Sequence, residues 1–483
     1  MSASTPEQLV QSFFYGRLNY EKQLPLAYGQ HHYRLKPVTA LLELLGNPHR
    51  SMAVVHVAGT KGKGSVSTML HHVLRSGGYR CGLYTSPHIH QLGERFLVDG
   101  RAADATQLAD LLPVLDPAVA EIDDRSLREP EFGSLTFFDL CTAAAFLYFY
   151  RQTVQIAVIE VGMGGRLDST NVVDPLLSII TNVSLDHTQQ LGNTVVEIVR
   201  EKAGIIKPQR PVVSGVRQPE AREVVEEQAR KHRAPLAQFD KHLTWTSEDP
   251  LAGPCVVCFE DPETHQVIVS PTLQTPLLGP HQRDNVALVF AATVYLRCAG
   301  WELSDSAIQS GLAVAQIPGR LQVISSAPRV VLDVAHNPAS ISALVETLRM
   351  MEVAAQRATS TVAASETPLG STTPPICRTL VFAVSRDKDA VEMLRIAAAY
   401  FDRFVLTRFH NNPRALEISQ LREILSQVTD PLRPPVVEVF DRPSEAFRHA
   451  LNDARPTDVV VVAGSLFLLA EIGSWSNGPS DVE

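Results

Sequence analysis

The strongest constraint on the fold is a short apolar segment followed by a glycine-rich loop and an amphipathic helix. Residues 52–57 read Met-Ala-Val-Val-His-Val, which predicts a buried strand. The loop at residues 59–65 follows, and residues 64–76 carry apolar side chains at helical spacing. Residues 81–84 predict the next strand. A strand, loop, helix and strand in this order require two parallel strands in one sheet.

Strands continue to alternate with helices along the first two thirds of the chain. Thr194, with Glu197 three residues later, forms a capping box and predicts the start of a helix. Apolar segments predict one further helix and three further strands, at residues 137–150, 156–159, 177–182 and 211–214. This alternation is typical of a doubly wound α/β domain.

The alternation restarts near residue 318, and 483 residues are enough for two or three domains. We predict a P-loop-containing, parallel-sheet N-terminal domain at residues 1–317. A smaller, Rossmann-like α/β C-terminal domain is predicted at residues 318–483. Its elements are strands at 330–333, 379–383, 404–406 and 458–463 and a helix at 340–350. Residues 354–375 are rich in Ala, Ser, Thr and Pro, which predicts a flexible surface insertion.

The composition excludes several classes of protein. The formal net charge of −9 argues against a general nucleic-acid-binding surface. No run of about eighteen apolar residues predicts a transmembrane helix, and the N-terminus does not resemble a signal peptide. Six cysteines in so long a chain do not form a disulfide framework. We therefore expect a cytoplasmic monomer that binds small molecules but neither nucleic acid nor a membrane.

The loop after the first strand is suited to binding phosphate. Its backbone N–H groups can turn toward anionic oxygens at a helix N-terminus, and Lys63 can reach the terminal phosphates. Only two residues separate Gly59 from Gly62, so the strict Walker spacing of four is not met. The alternative is a plain glycine turn. The predicted nucleotide-binding residues are Gly59, Thr60, Lys61, Gly62, Lys63, Gly64 and Ser65.

Three polar side chains follow three other predicted strands. Ser86, Glu160 and His187 each lie just beyond a strand of the N-terminal domain. In an open parallel sheet ligands bind at the carboxyl ends of the strands, so we expect these residues near the loop. A hydroxyl, a carboxylate and an imidazole can hold a metal that bridges phosphates. Each residue alone is more often an ordinary turn or surface residue.

Seven motifs together resemble folylpolyglutamate synthase and dihydrofolate synthase, which belong to the Mur ligase superfamily. They occur in the family's order and span nearly the whole chain, at residues 59–65, 84–88, 160–168, 185–187, 201–207, 318–320 and 333–338. Lys61 departs from the Asn of some members, and Ser385 replaces a common Gly or small residue.

The resemblance implies roles for single residues. Lys63 would bind the β- and γ-phosphates of ATP, and Ser86, Glu160 and His187 would hold Mg²⁺. Lys202 matches a lysine that CO2 carbamylates in this superfamily, and its carbamate would hold a second Mg²⁺. Without the resemblance, a solvated lysine at a helix end is the preferred interpretation of Lys202.

Further residues match the family's ligand contacts. Asn285, Arg320 and Asp333 match residues that contact ATP, and His336 lies beside them and is a candidate catalytic residue. The wall of the pterin site would be formed by Thr136, Phe137, Arg166, Leu167, Asp168 and Ser169.

The implied activity is an ATP-dependent ligation through an acyl-phosphate. The substrates would be ATP, L-glutamate and a folate or dihydropteroate, and the sequence does not separate these two acceptors. Another Mur-type amino-acid ligase is the nearest alternative. A P-loop switch ATPase would not need the residue 333–338 motif or Lys202. The intact Lys63, Glu160 and His187 argue against a non-catalytic nucleotide-binding module.

Other candidate sites are weaker. Cys255 and Cys258 have no second pair at zinc spacing, so we expect ordinary thiols in a strand pair. The adjacent pairs at 31–32 and 71–72 do not share a helix face, and we expect these histidines at the surface.

Overall fold

Each of the two units of the chain is built around its own sheet. The structure is a computed structural model that describes residues 4–21, 34–362, 375–430, 432 and 434–473. The units are Met1–Gln316 and Ile317–Glu483.

An eight-stranded sheet forms the centre of the first unit. Its strands are β1 (Ala53–Ala58), β2 (Cys81–Tyr84), β3 (Phe96–Val98), β4 (Arg101–Ala102), β5 (Ile156–Glu160), β6 (Leu177–Ile180), β7 (Val212–Ser214) and β8 (Leu236–Gln238). Their order is β4-β3-β2-β5-β1-β6-β7-β8. In this order, each pair of neighbours in the series β2-β5-β1-β6-β7-β8 is parallel. Strands β3 and β4 extend the sheet beyond β2 with antiparallel pairs.

Helices cover this sheet, and a small antiparallel sheet follows in the chain. The helices are α1 (Pro6–Tyr15), α2 (Lys36–Leu44), α3 (Lys63–Ser76), α4 (Ala105–Ala109), α5 (Leu112–Arg128), α6 (Phe137–Arg151), α7 (Thr188–Leu191), α8 (Val195–Ala203), α9 (Pro219–His232), α10 (Pro280–Cys298) and α11 (Asp305–Ala313). The small sheet comprises β9 (Leu243–Thr246), β10 (Val256–Glu260) and β11 (Val267–Val269), in the order β11-β10-β9.

The apolar character of the central strands explains their position. Every residue of β5 is buried, and all of β1 except Ala53 is buried. Such continuous burial is typical of a parallel sheet covered on both faces. Helix α6 is apolar on nearly all sides and contributes Phe146 and Phe149 to the core. The predicted α/β fold of this unit is confirmed.

The second unit contains a six-stranded mixed sheet. Its strands are β12 (Gln322–Ser326), β13 (Arg329–Leu332), β14 (Arg378–Phe382), β15 (Arg403–Leu406), β16 (Val436–Val439) and β17 (Val459–Ala463), in the order β12-β13-β17-β14-β15-β16. Only the β12–β13 pair is antiparallel among these strands. The helices are α12 (Pro338–Val362), α13 (Ala390–Ala398), α14 (Ile418–Val428), α15 (Pro443–Asn452) and α16 (Leu466–Glu471).

Helix α12 is longer than we predicted. It continues to Val362 and so extends into the segment at 354–375 that we interpreted as a flexible insertion. Residues 363–374 of that segment lie outside the described residues. None of the described helices is both long and apolar enough to cross a membrane.

The prediction that His71 lies at the surface is wrong. His71 is fully buried on α3, and burial lowers its pKa to about 3. The reason is that His71 lies beside the Gly82 backbone of β2, on the side of α3 that packs against the sheet. His72 is half-buried, and His31 and His32 lie outside the described residues. Cys255 and Cys258 are free thiols, and Cys258 lies in β10.

The contribution of the predicted capping box to stability can be tested at the start of α8. The Thr194 hydroxyl accepts from the Glu197 N–H at 3.2 Å, and the Glu197 carboxylate accepts from the Thr194 N–H at 3.0 Å. We expect Thr194→Ala to lower the free energy of unfolding by about 1 kcal/mol, because one N–H of the first turn loses its acceptor. Thr194→Ser keeps the hydroxyl and should stay close to the unsubstituted protein. Urea denaturation of both variants checks this, and equal losses would exclude the cap as the cause.

Candidate active site

The carboxyl ends of four adjacent parallel strands carry the predicted phosphate and metal residues. The loop at 59–65 follows β1, Glu160 ends β5, Ser86 follows β2 and His187 follows β6. Because β2, β5, β1 and β6 are neighbours with the same direction, these residues share one edge of the sheet. Ser86 is half-buried, and His187 is exposed.

Two glycines allow the loop to approach its neighbours closely. A Cβ atom on Gly59 would lie 1.9 Å from the Thr181 hydroxyl oxygen. Gly62 has a φ of +81°, and a Cβ atom there would lie 2.7 Å from Oδ1 of Asn285. A side chain at either position would therefore collide with its surroundings. The second contact also places the predicted ATP residue Asn285 beside the loop.

Polar contacts hold the other loop residues against the chain that follows β6. The backbone N–H of Thr60 donates to the Asn182 carbonyl at 2.9 Å, and that of Lys61 donates to the Asn182 side chain at 2.8 Å. The Thr181 hydroxyl donates to the Lys61 carbonyl at 2.5 Å. Ser65 is buried within the first turn of α3. Thr181 and Asn182 thus anchor the loop independently of the Lys63 ammonium.

A single carbonyl accepts from two lysines. Lys63 Nζ lies 3.1 Å and Lys202 Nζ 2.9 Å from the Gly59 oxygen. Lys63 opens α3, whereas Lys202 lies in the last turn of α8, far away in the chain. The structure therefore brings two cationic side chains to the base of the phosphate loop.

Lys202 is buried, with only 3% of its surface exposed, so its interpretation as a solvated helix-end lysine is wrong. Burial, with a smaller contribution from the nearby Lys63 charge, lowers the pKa of this amine to about 7 against the opposing effect of Asp186 and Asp168. Near neutral pH a large fraction of the amine is thus uncharged and can act as a nucleophile.

Glu160 is the buried carboxylate of this edge, with 4% of its surface exposed. A Cβ atom on Gly64 would lie 3.7 Å from its Oε2, so the carboxylate faces the first turn of α3. The helix N-terminus favours negative charge there. Carboxylate and hydroxyl oxygens are ligands that Mg²⁺ prefers, so Glu160 with Ser86 fits a magnesium site next to bound phosphate.

The predicted acceptor wall is held together by a residue that we did not predict. The Asp139 carboxylate accepts from the Thr136 N–H at 2.8 Å, from the Thr136 hydroxyl at 2.7 Å and from the Ser169 hydroxyl at 2.6 Å. Burial raises the pKa of Asp139. The capping-box spacing of Thr136 and Asp139 was the available signal in the sequence.

The remaining wall residues differ in exposure. Phe137 is 1% exposed, and its ring is enclosed by the Tyr15 ring at 5.2 Å and the Arg95 guanidinium at 5.2 Å. Arg166 is exposed and forms a 2.8 Å ion pair with Glu201. Leu167 is half-buried, and Asp168 is buried with a pKa raised by burial.

The predicted residues of the second unit lie around the end of β13. The buried Asp333 carboxylate accepts from the backbone N–H groups of Leu321 and Ala335, each at 2.8 Å. Nδ1 of His336 donates to the Val334 carbonyl at 2.9 Å. Arg320 is exposed. Asp333 therefore fixes the backbone on which Arg320 and His336 are carried.

One other group of acidic and histidine side chains in the described residues has the spacing of a metal site. Potential ligand atoms of Glu438, His449 and Asp453 lie within 4.8 Å of one another. Arg403 occupies the same place, however, and its guanidinium donates to all three side chains. This group is therefore an ion-pair network centred on Arg403 at the β16 edge, in which the guanidinium takes the place that a cation would need.

The pKa of Lys202 predicts how stability depends on pH. The folded amine titrates near 7 and the unfolded one near 10.4, so between these values the unfolded chain binds more protons and stability rises with pH. In CO2-free buffer we expect the free energy of unfolding of the unsubstituted protein to rise from pH 7 to pH 10 by about 3.5 kcal/mol more than that of Lys202→Met, which has no amine to titrate. Urea denaturation across pH 7–10 measures it, and parallel profiles would contradict the buried amine.

Comparison with known proteins shows the family to which the chain belongs. The model of the Mur ligase middle domain matches residues 57–293, and that of the Mur ligase glutamate ligase domain matches residues 319–466. A Bacillus subtilis dihydrofolate synthase/folylpolyglutamate synthase is 37% identical over 71% of this chain and 76% of its own length. The Lacticaseibacillus casei folylpolyglutamate synthase is 32% identical over 90% of this chain and 92% of its own length.

Solved structures of folylpolyglutamate synthases have the same fold as this chain. Mycobacterium tuberculosis folylpolyglutamate synthase, solved with ADP and AMPPCP, is 30% identical with a TM-score of 0.77, over 96% of this chain and 97% of that one. Escherichia coli FolC in complex with DHPP and ADP is 27% identical with a TM-score of 0.77, over 97% of both chains. The chain therefore belongs to the folylpolyglutamate synthase/dihydrofolate synthase family of the Mur ligase superfamily.

Proposed function

We propose that this protein is an ATP-dependent ligase that joins the amine of L-glutamate to the carboxylate of a folate or dihydropteroate. The observation that carries the proposal is the convergence of Lys63 and the buried Lys202 on the Gly59 carbonyl. A phosphate loop alone suits any ATPase. The second lysine, which is buried and partly neutral, is the feature that a switch ATPase does not need.

The reaction has two steps. An oxygen of the acceptor carboxylate attacks the γ-phosphorus of ATP, and ADP leaves with the electrons of the broken P–O bond. The glutamate nitrogen then attacks the acyl carbon, phosphate leaves and the nitrogen loses a proton. The protein contributes mainly by positioning the reactants and neutralising charge.

The phosphate loop and its lysine bind the nucleotide. The backbone N–H groups at the N-terminus of α3 face the phosphates, and Lys63 pairs with the β- and γ-phosphates. Asn285 lies beside Gly62 and contacts the nucleotide from the start of α10. Arg320, Asp333 and His336 remain predicted contributors to ATP binding and catalysis, on the strength of the family resemblance.

Ser86, Glu160 and His187 would hold Mg²⁺ against the phosphates. When bound, Mg²⁺ would neutralise the charge that develops during transfer of the γ-phosphoryl group. The buried Glu160 carboxylate beside the loop supports this assignment.

Lys202 is proposed to react with CO2. Its neutral amine attacks the carbon of CO2, an N–C bond forms, and one proton is released, which leaves a carbamate anion. The pKa of about 7 keeps much of this amine in the reactive form. A carbamate would convert a repulsive second cation beside Lys63 into an attractive anion and a further magnesium ligand.

The acceptor is proposed to lie along Thr136, Phe137 and residues 166–169. Asp139 holds Thr136 and Ser169 together, so this wall is pre-organised. The E. coli FolC structure contains DHPP together with ADP, which supports a pterin-bearing acceptor for the family fold.

We expect ADP release that depends on both L-glutamate and an acceptor. The assay is run with dihydropteroate and with tetrahydrofolate separately, because the two acceptors distinguish the two activities of the family. Activity with neither would exclude the proposed function. ADP release without any acceptor would favour a switch ATPase instead.

Lys63→Ala should lower turnover at least about 100-fold, because the transferred phosphoryl group loses a preorganised cation. The substitution leaves the loop glycines in place, so the melting temperature should change little. Lys231→Ala, an exposed lysine on α9, is the matched control and should retain turnover. Equal activity of both variants would remove Lys63 from the mechanism.

Carbamylation can be observed directly. With ¹³C-bicarbonate near neutral pH we expect a carbamate carbon signal in the NMR spectrum of the protein, and its loss in Lys202→Ala. Short carboxylates should restore part of the turnover of Lys202→Ala. The same signal in both proteins, or no signal and no restored turnover, would return Lys202 to the role of a neutral buried amine.

A further inference from the structure

A histidine in the central strand has no role in the proposed chemistry. His56 lies on β1, three residues before Gly59, and is fully buried. Burial, with a smaller effect of the Lys207 charge, lowers its pKa to about 3, so the ring is neutral at physiological pH. Its Nε2 lies 2.9 Å from the Thr170 hydroxyl oxygen.

The direction of the hydrogen bonds follows from the chemistry of the partners. The Thr170 hydroxyl donates to Oδ1 of Asp168, and a hydroxyl has only one proton to donate. It must therefore accept from the imidazole, which requires the neutral His56 tautomer with its proton on Nε2. The result is a chain in which His56 donates to Thr170 and Thr170 donates to Asp168.

The Asp168 carboxylate, at the end of this series of hydrogen bonds, also accepts from the backbone of residues 163–170. Oδ1 of Asp168 also accepts from the Thr170 N–H at 3.0 Å, and Oδ2 accepts from the Met163 N–H at 2.9 Å. A carboxylate has about four acceptor positions, and three of them are used here. The chain thus orients Asp168 and also folds residues 163–168 back on themselves.

The same loop is tied to the helix that carries Lys202. The Arg166 N–H donates to the Glu201 carbonyl at 2.8 Å. The Asn171 amide donates to the carbonyls of Arg166 at 3.0 Å and Gly204 at 3.1 Å. Residues 163–169 are therefore held at one side by α8 and at the other by β1 through His56.

We propose that His56 is a positioning residue for the acceptor: through Thr170 it fixes Asp168 and residues 163–169 relative to the strand that ends in the phosphate loop. This inference rests on the proposed function, since it assumes that these residues contact the acceptor. The loop at 59–65 has its own anchors at Thr181 and Asn182. Loss of the hydrogen bonds from His56 to Asp168 should therefore weaken binding of the acceptor but not binding of ATP.

Thr170 offers the sharpest test. Thr170→Val keeps a similar shape but removes the hydroxyl, so His56 loses its acceptor and Asp168 loses one donor. We expect the acceptor KM to rise at least tenfold while the ATP KM stays within twofold. Thr170→Ser keeps the hydroxyl and should restore an acceptor KM near that of the unsubstituted enzyme. Equal KM values in the Val and Ser variants would overturn the proposal.

A second threonine separates positioning from general stability. Thr293 is fully buried on α10, and its hydroxyl donates to the Phe290 carbonyl at 2.7 Å. Thr293→Val should lower the melting temperature without a selective rise in the acceptor KM. If Thr170→Val raised the KM values for acceptor and ATP equally, its role would be structural and the proposal would fall.

His56 is tested together with Thr170. His56→Leu should raise the acceptor KM as Thr170→Val does, and the double variant should be no worse than either single one, because both remove the same chain. His56→Gln retains a donor at the position of Nε2 and should restore part of the loss. Additive effects in the double variant would contradict a shared chain.

The two proposals fail in different ways. If the unsubstituted enzyme turned over neither acceptor, the proposed function would fail, and the acceptor role of His56 with it. If it turned over an acceptor but Thr170→Val matched it in every KM, the positioning role alone would fail. In either case, the melting temperatures of the single and double variants show whether His56 and Thr170 interact. If the shifts of the two single variants simply added in the double variant, the hydrogen bond between the two residues would be excluded.

Discussion

Parallel pairing of β1 between β5 and β6 is the constraint on which the site depends. Because the strands run in one direction, the phosphate loop, Glu160 and His187 emerge at the same edge of the sheet. The same pairing places the loop against the chain after β6, whose Asn182 and Thr181 anchor it. If β1 ran antiparallel to its neighbours, the same motifs would lie at opposite edges.

The charged side chains of Lys63, Lys202 and Glu160 at this edge of the sheet are buried or half-buried. Lys63 and Lys202 share one carbonyl, while Glu160 faces the start of α3. Burying Lys202 costs free energy, and the nearby Lys63 charge adds to that cost. The lowered pKa of Lys202 measures both effects against the opposing charges of Asp186 and Asp168. An anionic ligand or a carbamate would reduce this cost, so the arrangement of these lysines is suited to binding phosphate and not to maximal stability.

Much of this could be predicted from local patterns. Short apolar runs predicted the buried strands β1, β2, β5, β6, β7, β13, β14, β15 and β17, and the Thr194–Glu197 capping box predicted where α8 begins. These predictions are confirmed, whereas the short edge strands were not predicted. The motifs predicted the family. Three further features were missed because they depend on distant contacts: the burial of His71 beside the Gly82 backbone of β2, the role of Asp139 between Thr136 and Ser169, and the hydrogen-bond chain of His56, Thr170 and Asp168.

The sequence by itself therefore determined the central elements, because periodicity, capping and glycine spacing act over a few residues. Its motifs also determined the family and the kind of chemistry. Only the tertiary structure decided the electrostatic state of the site. Lys202 looks like a solvated helix-end lysine in sequence, but it is buried against Gly59, a residue 143 positions away. Desolvation and the field of Lys63 depend on that long-range contact, and no local pattern encodes them.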